Sequence, residues 1–401
     1  MTPQSRDTRS TGDLAAAGSS STPPEKPVEP AMVTQMLDMV LNQQKVAYDE
    51  AFKMWQRLFS VPRVVEQARD NQVCQTPHEV VYEEDQLRLL HYNRDTPPAY
   101  REPLLICYAL VNRPYILDLQ PEKSVVRQFL ARGFDVYLID WGIATAADQS
   151  LTLHDYVRVQ MGNVSEFLLR HCKTKQYNLL GYCMGGTMAS LFTATSPAMV
   201  KNLALMAAPL DFSGDESLLQ VWTKEEFFDV DALVDSFGNC PAPFLQHMFQ
   251  MMKPVQNYVS KYTSFFDKMY DDRFVENFFA MEKWTNDNIP VAGETFREFV
   301  KKLYQRNELV KGQFRFKLNE PPVDLKKITC PLLLMVAKGD HLVPPSQTLG
   351  LAPFVGSKDI KTMEIEAGHV GLAVSSKAHK KFWPEATAWM AERSTPMKSK
   401  V

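Results

Sequence analysis

The sequence predicts an α/β fold, with a mostly parallel sheet, helices on both faces and a helical insertion. Three observations carry this. Short, predominantly apolar runs alternate with helix-length segments across residues 80–208, as strands buried on both faces require. The same rhythm returns at residues 330–337 and 361–365. Between the two blocks, residues 209–325 carry no comparable run, yet they hold 15 of the 23 phenylalanines, together with Met248, Met251 and Met252.

Composition narrows the class further. The chain has 401 residues, of which 45% are hydrophobic and 23% charged, an ordinary balance for a globular protein. Length alone suggests two or three domains; the strand rhythm favours one large domain carrying an insertion. The net charge of -3 excludes the basic bias of a nucleic-acid binder and the acidic bias of a solvating chain. The longest apolar runs, at residues 104–111 and 331–337, fall short of the roughly 18 residues a membrane span needs. The polar N-terminus shows no secretory signal. Six cysteines without ligand-like spacing make neither a disulfide framework nor a zinc site, so no metal and a reducing cytoplasm are expected.

Residues 1–30, rich in Ser, Thr, Pro and Ala, are expected to be a disordered extension. Residues 31–74 form a helical segment. Met32, Met36, Met39 and Val40, then Ala47, Ala51, Met54, Trp55 and Leu58, recur at helical spacing across residues 32–59. That face either packs on its own core or docks on a partner. Two strand-like runs, 80–82 and 87–92, flank Glu83-Glu84-Asp85 and read as a hairpin. Strand runs follow at 104–110, 134–139, 177–182 and 200–207, with helices at 124–132, 154–171 and 187–194 between them. Residues 75–208 are thus the first part of the core, 209–325 a cap, and 326–394 the second part, ending in a helix at 377–393. Residues 395–401 are expected to be a disordered tail.

The chemistry is concentrated where the third buried run ends. Gly181-Tyr182-Cys183-Met184-Gly185-Gly186-Thr187 is G-x-C-x-G-G, the nucleophile elbow of the α/β-hydrolase fold with Cys in place of Ser. The nucleophile sits on a sharp strand-to-helix turn. Small residues two positions to either side let strand and helix approach. Cys183 then leaves the sheet, and the Met184 N–H lies at a helix N-terminus, where negative charge is stabilised. A buried structural cysteine in a Gly-rich turn is the bland alternative.

In this fold the chain order is nucleophile, acid, histidine. Asp340 follows the run at 330–337, within Gly339-Asp340-His341-Leu342-Val343-Pro344, in the place expected for the acid. His369 follows the run at 361–365, in the Gly-flanked loop Gly368-His369-Val370-Gly371, the place expected for the base. The first separation is long because the cap intervenes. His341 is a weaker base because it shares the acid's loop, and Asp118 and Asp140, after early strands, are weaker acids. His78, His91, His154, His171, His247 and His379 fall at structural or surface positions. The second oxyanion donor comes from the loop after an early strand, Tyr108 to Tyr115 here, and the Val111 N–H is the candidate, with a neighbouring N–H as the alternative.

The elbow segment resembles the lipase-like box of polyhydroxyalkanoate synthases. Three further segments agree: Val111-Asn112-Arg113-Pro114-Tyr115-Ile116-Leu117-Asp118-Leu119, Arg132-Gly133-Phe134-Asp135-Val136-Tyr137-Leu138-Ile139-Asp140-Trp141-Gly142, and Gly339 to Pro344. So do Glu282-Lys283-Trp284 and Gly293-Glu294 within the cap. The likeness spans about residues 45–393. The short N-terminal region resembles the small catalytic subunit of two-subunit synthases. Tyr182 and Met184 lean towards the Bacillus-type class (class IV), with a class III-like subunit also compatible. The polar N-terminal extension departs from both.

The resemblance implies polymerisation of (R)-3-hydroxyacyl-CoA, with 3-hydroxybutyryl-CoA the expected substrate. Cys183 would attack the thioester, release CoA and hold the acyl chain, and His369 would take the thiol proton. The 3-hydroxyl would then attack the next acyl-enzyme ester, with Asp340 orienting His369 or helping to activate that hydroxyl. The residues support this: a Cys–His pair activates a nucleophile without a metal, and thiolate attack on a thioester exchanges groups of similar leaving ability. An aromatic, Met-rich cap would keep the site dry and accept a growing polyester, although most of these side chains would simply form the cap's own core. Their irregular spacing also suits a mobile lid. No cofactor is implied, since CoA belongs to substrate and product. Implied partners are an accessory synthase subunit, in a homodimer or hetero-oligomer, and the surface of a cytoplasmic polyester granule, with neither nucleic acid nor a membrane span. Competing readings are a Cys hydrolase resembling dienelactone hydrolase, a Cys-containing esterase or polyester depolymerase, and a non-catalytic granule scaffold that kept the fold.

Overall fold

The structure is a computed structural model and describes residues 30–69, 71–214 and 217–397. The extension expected to be disordered therefore lies outside the described residues except for Pro30.

Two compact units divide near Leu58. Helix α1 (Pro30–Arg69) is longer than the periodicity over residues 32–59 predicts and continues through Pro62. In the first unit Met39, Leu41, Tyr48, Phe52 and Leu58 are exposed. The last turns of α1 belong to the second unit. There Val64 is buried with Met269 and Val275, and Arg63 Nε lies 2.6 Å from Asp272 Oδ1. Residues 71–74, expected to be helical, are irregular, with Cys74 at φ 56°.

The second unit is built on eight strands: β1 (His78–Glu84), β2 (Leu87–Tyr92), β3 (Leu104–Cys107), β4 (Val136–Asp140), β5 (Tyr177–Tyr182), β6 (Val200–Met206), β7 (Leu332–Ala337) and β8 (Ile360–Ile365). Their order is β1-β2-β4-β3-β5-β6-β7-β8. The hairpin β1–β2 pairs antiparallel to β4, and every later pairing is parallel. Every residue of β3, β4, β5 and β7 is buried, which is why those strands read as predominantly apolar runs, broken only by Asp140 and Asn178. This is the α/β-hydrolase fold. β3 stops at Cys107, three residues before its apolar run ends. Residues Tyr108, Ala109 and Leu110 are buried too, but they form the loop beside the elbow.

Helices follow the strands. In α2 (Val125–Arg132) Ser124 accepts from the Arg127 N–H, and Gly133 ends the helix at φ 104°, the left-handed conformation that favours glycine. A wide turn at Asp155–Gln160 leads into α3 (Met161–His171). α4 (Met184–Thr195) starts at the elbow and is buried along nearly its whole length.

The cap lies between β6 and β7 and is helical. It contains α5 (Leu218–Trp222), α6 (Val230–Phe237), α7 (Ala242–Met251), α8 (Lys261–Lys268), α9 (Asp272–Asn286) and α10 (Gly293–Glu298), the last extended by wider turns to Gln305. Its aromatic surplus is divided. Phe265, Phe278 and Phe279 pack ring on ring, whereas Phe227, Phe237 and Phe266 are exposed. Short α11 (Pro345–Leu349) and α12 (Gly371–Val374) follow β7 and β8, and α13 (Trp383–Glu392) closes the fold. The expected tail begins later than residue 395. Thr395 donates twice to the Glu102 carboxylate, and the Met397 N–H bonds the Ala99 carbonyl at 2.8 Å, so residues 395–397 are tied to the core; residues 398–401 lie outside the described residues.

Candidate active site

Cys183 occupies the turn from β5 into α4 with φ 56° and ψ −130°, a backbone conformation costly for a residue with a Cβ. Its N–H bonds the Met206 carbonyl at 2.9 Å. The close packing explains the glycines. A Cβ on Gly181 would stand 2.6 Å from the Gly186 Cα, and one on Gly185 would stand 2.3 Å from the Cys107 carbonyl oxygen. Strand, helix and the loop after β3 converge here, and no side chain fits between them.

Asp340 and His369 come from the loops after β7 and β8. His369 Nδ1 lies 2.7 Å from Asp340 Oδ2. The other oxygen of Asp340 accepts from the N–H groups of Leu342 and Val343, both at 2.9 Å. The Cys183 sulfur also acts on the charge of this imidazole. Burial disfavours its charged form, but the Asp340 carboxylate and the Cys183 sulfur outweigh this and push its pKa up to about 10. Tyr182 stacks on His369, ring centres 5.2 Å apart, and donates to its carbonyl at 3.2 Å. The three residues singled out from the sequence are therefore brought together.

The other candidates are engaged differently. Asp118 accepts from the Thr76 N–H and from the hydroxyls of Thr76 and Ser124. Asp140 pairs with Arg88 at 2.6 Å and accepts from the Gly142 N–H. His341 lines the same cavity as His369, and its pKa is lowered by burial and by nearby Lys253. The N–H groups of Met184 and Val111 donate to no backbone acceptor among the described residues, and both residues line the cavity. The six cysteines form no disulfide, and no cluster suited to a metal ion occurs among the described residues. No described helix is long and apolar enough to cross a membrane.

The cavity over Cys183 measures about 420 Å3. Its walls are mostly apolar and come largely from the cap, including Met248, Phe249, Met281, Phe296 and Phe299. Lys261 and Glu282 also line it and are paired at 2.7 Å. Two residues of the site are assigned no role by the sequence. Tyr304, half-buried against Phe212 with ring centres 4.6 Å apart, has its pKa raised by desolvation and by the charges of Cys183 and Asp340. Trp284 stands in a family-like segment, but its partner could not be read from the chain: its indole N–H bonds the Arg113 carbonyl at 2.8 Å.

Comparison with known proteins gives the same fold and a family. The family profile for the alpha/beta hydrolase fold matches residues 102–374. A second profile, described as the N-terminus of poly-beta-hydroxybutyrate polymerase (PhaC), matches residues 67–129. The chain is 43% identical over 354 residues to a poly(3-hydroxyalkanoate) polymerase subunit PhaC of Haloferax mediterranei, covering 88% of this chain and 72% of the relative. The corresponding subunit of Haloarcula marismortui is 46% identical, with 80% and 69% covered. That of Thiocystis violacea is 40% identical, with 80% and 89% covered.

Proposed function

The chain belongs to the poly(3-hydroxyalkanoate) polymerase family, whose members are acyltransferases, and from that premise we propose that it polymerises (R)-3-hydroxybutyryl-CoA through a covalent acyl–Cys183 intermediate. The observation that carries the mechanism is the chain of contacts from Asp340 through the His369 imidazole to Cys183.

In the first half-reaction the His369 imidazolium holds the proton it shares with Cys183 while the sulfur attacks the thioester carbonyl. The new C–S bond replaces the one to CoA, and His369 returns the proton to the departing CoA sulfur. The Met184 and Val111 N–H groups stabilise the tetrahedral oxyanion. In the second half-reaction the 3-hydroxyl of an incoming 3-hydroxyacyl-CoA attacks the acyl–Cys183 carbonyl. A C–O bond forms, the C–S bond breaks, and the hydroxyl proton passes through His369 to the sulfur. The lengthened acyl-CoA then reacylates Cys183 and releases CoA. Both Asp340 oxygens are already engaged, which favours its orienting His369 over direct activation of the hydroxyl. The apolar cavity excludes water, the competing nucleophile.

We further propose that the chain works with an accessory subunit, in keeping with relatives named as subunits, and acts in the cytoplasm at the surface of polyester granules, as a homodimer or hetero-oligomer. CoA enters and leaves as part of substrate and product, with no separate cofactor. Incubation with 3-hydroxybutyryl-CoA, with and without the accessory subunit, tests the reading by following CoA release and turbidity. CoA release accompanied by rising turbidity is expected. Release yielding only free hydroxy acid would replace the polymerase with a hydrolase, and release that persists in Cys183→Ala would overturn the mechanism.

A further inference from the structure

The loop that carries Val111 is held at its two ends by two indoles from different parts of the fold. At one end Trp141, buried just after β4, donates its Nε1–H to the Tyr108 carbonyl at 2.9 Å. At the other end Trp284, on cap helix α9, donates to the Arg113 carbonyl at 2.8 Å. Between them Asn112 sits at φ 65°, and its Oδ1 accepts from the Arg113 N–H at 2.7 Å. No other hydrogen bond is made by residues 109–112 among the described residues. A short segment with a left-handed residue and so few bonds depends on its end anchors for its shape. One anchor belongs to the core and the other to the cap.

We propose that Trp284 is a positioning residue for the oxyanion hole. By fixing the Arg113 carbonyl, its indole N–H sets the direction of the Val111 N–H, so the hole is complete only when the cap is seated. The inference rests on the reading above that Val111 donates to the oxyanion. It also gives the cap a second task. Seating the cap both closes the cavity and completes the electrostatic part of the site, so thioester cleavage is fast only when water is excluded. Oxyanion donors act through placement, and a displacement of about 1 Å can cost about 10²-fold in rate.

The experiment compares the full-length protein with Trp284→Phe and with a form carrying 3-benzothienylalanine at position 284, which keeps the bicyclic shape and removes only the N–H. Two rates are read: steady-state CoA release from 3-hydroxybutyryl-CoA, and alkylation of Cys183 by iodoacetamide. Alkylation needs the activated thiol but no oxyanion hole. Both variants are expected to lose about 10- to 100-fold in kcat with little change in KM, and to alkylate at the wild-type rate. A wild-type kcat in the benzothienyl form would overturn the proposal, as would a parallel loss of alkylation, which marks a general disturbance of the site. Should Trp284→Phe fold poorly, as far-UV circular dichroism would show, the isosteric form still decides. A wild type that releases no CoA would overturn the reaction assigned above and this inference with it, whereas an active wild type with unaffected variants overturns this inference alone.

Discussion

His369 Nδ1 and Asp340 Oδ2 lie 2.7 Å apart, across a gap of 29 residues that spans β8. Asp340 is held on its other side by two backbone N–H groups, so it can turn neither away from the imidazole nor towards the cavity. The carboxylate thereby fixes the ring orientation and tautomer and stabilises the imidazolium. In Asp340→Asn the amide can satisfy the backbone donors but brings no charge. CoA release is expected to fall by about 10²- to 10⁴-fold, and the His369 pKa should drop from its raised value. A variant within threefold of wild type would remove Asp340 from the orienting role.

The raised pKa of His369 makes a prediction about pH and stability. Its value of about 10 stands above the ordinary 6.5, so the folded protein binds this proton more tightly than the unfolded chain. The linked stability is fully present below about pH 6.5 and is lost as pH rises through about 10. His369→Gln lacks this contribution. The Tm difference between wild type and His369→Gln should therefore shrink steadily from pH 7 to pH 10.5. A difference that stays constant over that range would contradict the ion pair. At neutral pH the same variant should leave Cys183 slow to react with iodoacetamide.

Cys183 combines a functional thiol with a strained backbone. At φ 56° and ψ −130° a side chain costs about 1–3 kcal/mol relative to an unstrained position. Glycine carries no such penalty. Cys183→Gly should end acylation yet raise thermal stability, an exchange of activity for stability seen at strained sites. Cys183→Ser keeps the Cβ and so the strain, and should lose most activity without any gain in Tm. Thermal unfolding of the two variants side by side checks this; a Cys183→Gly protein less stable than Cys183→Ser would show that the elbow is not strained.

Two glycines provide a matched test of the packing argument. A Cβ at Gly185 meets the carbonyl oxygen of Cys107 at 2.3 Å and Tyr108 backbone atoms at 2.6 Å. Backbone cannot yield as a flexible side chain can, so Gly185→Ala should destabilise by about 1–3 kcal/mol or more and displace the Val111 loop. Gly162, on α3, has nothing within 4 Å of its Cβ position. Gly162→Ala should instead stabilise by about 0.5–1 kcal/mol through helix propensity. Urea unfolding separates them, and equal effects would deny the close approach at the elbow.

Much of this was legible because buried parallel strands and an elbow leave local marks. β5 was found at its full extent, since Tyr177–Tyr182 is buried throughout and ends at the glycines. For β3 the apolar run extends three residues beyond the strand. Its loop is as buried as its strand, and hydrophobicity cannot tell where a backbone leaves the ladder. The C-terminal residues 395–397 read as a tail because their order comes from Glu102 and Ala99, nearly 300 positions away. The same holds for Trp284 and Tyr304. Their side chains reach the site only through the cap's tertiary path, and no spacing rule encodes that path.

The cap's wall should control where the acyl group goes. Met248 lies on α7 and faces the cavity above Cys183. It is half-buried, and Gln has nearly its length and flexibility, so Met248→Gln changes polarity more than shape. The cost to folding should stay below about 1.5 kcal/mol, as for swaps that conserve volume, with a further penalty only if the amide finds no partner. The consequence for the reaction is larger. A polar wall lets water stand near the acyl–Cys183 carbonyl, where it competes with the 3-hydroxyl for the same electrophile. Total CoA release should then change little, because acylation precedes the partition. The share of product appearing as free 3-hydroxybutyrate should rise several-fold at the expense of polymer. Quantifying hydroxy acid and turbidity in one reaction decides the matter. An unchanged ratio with normal CoA release would mean that the cap's apolar wall is not what keeps water from the intermediate, and that hydroxyl positioning alone sets the outcome.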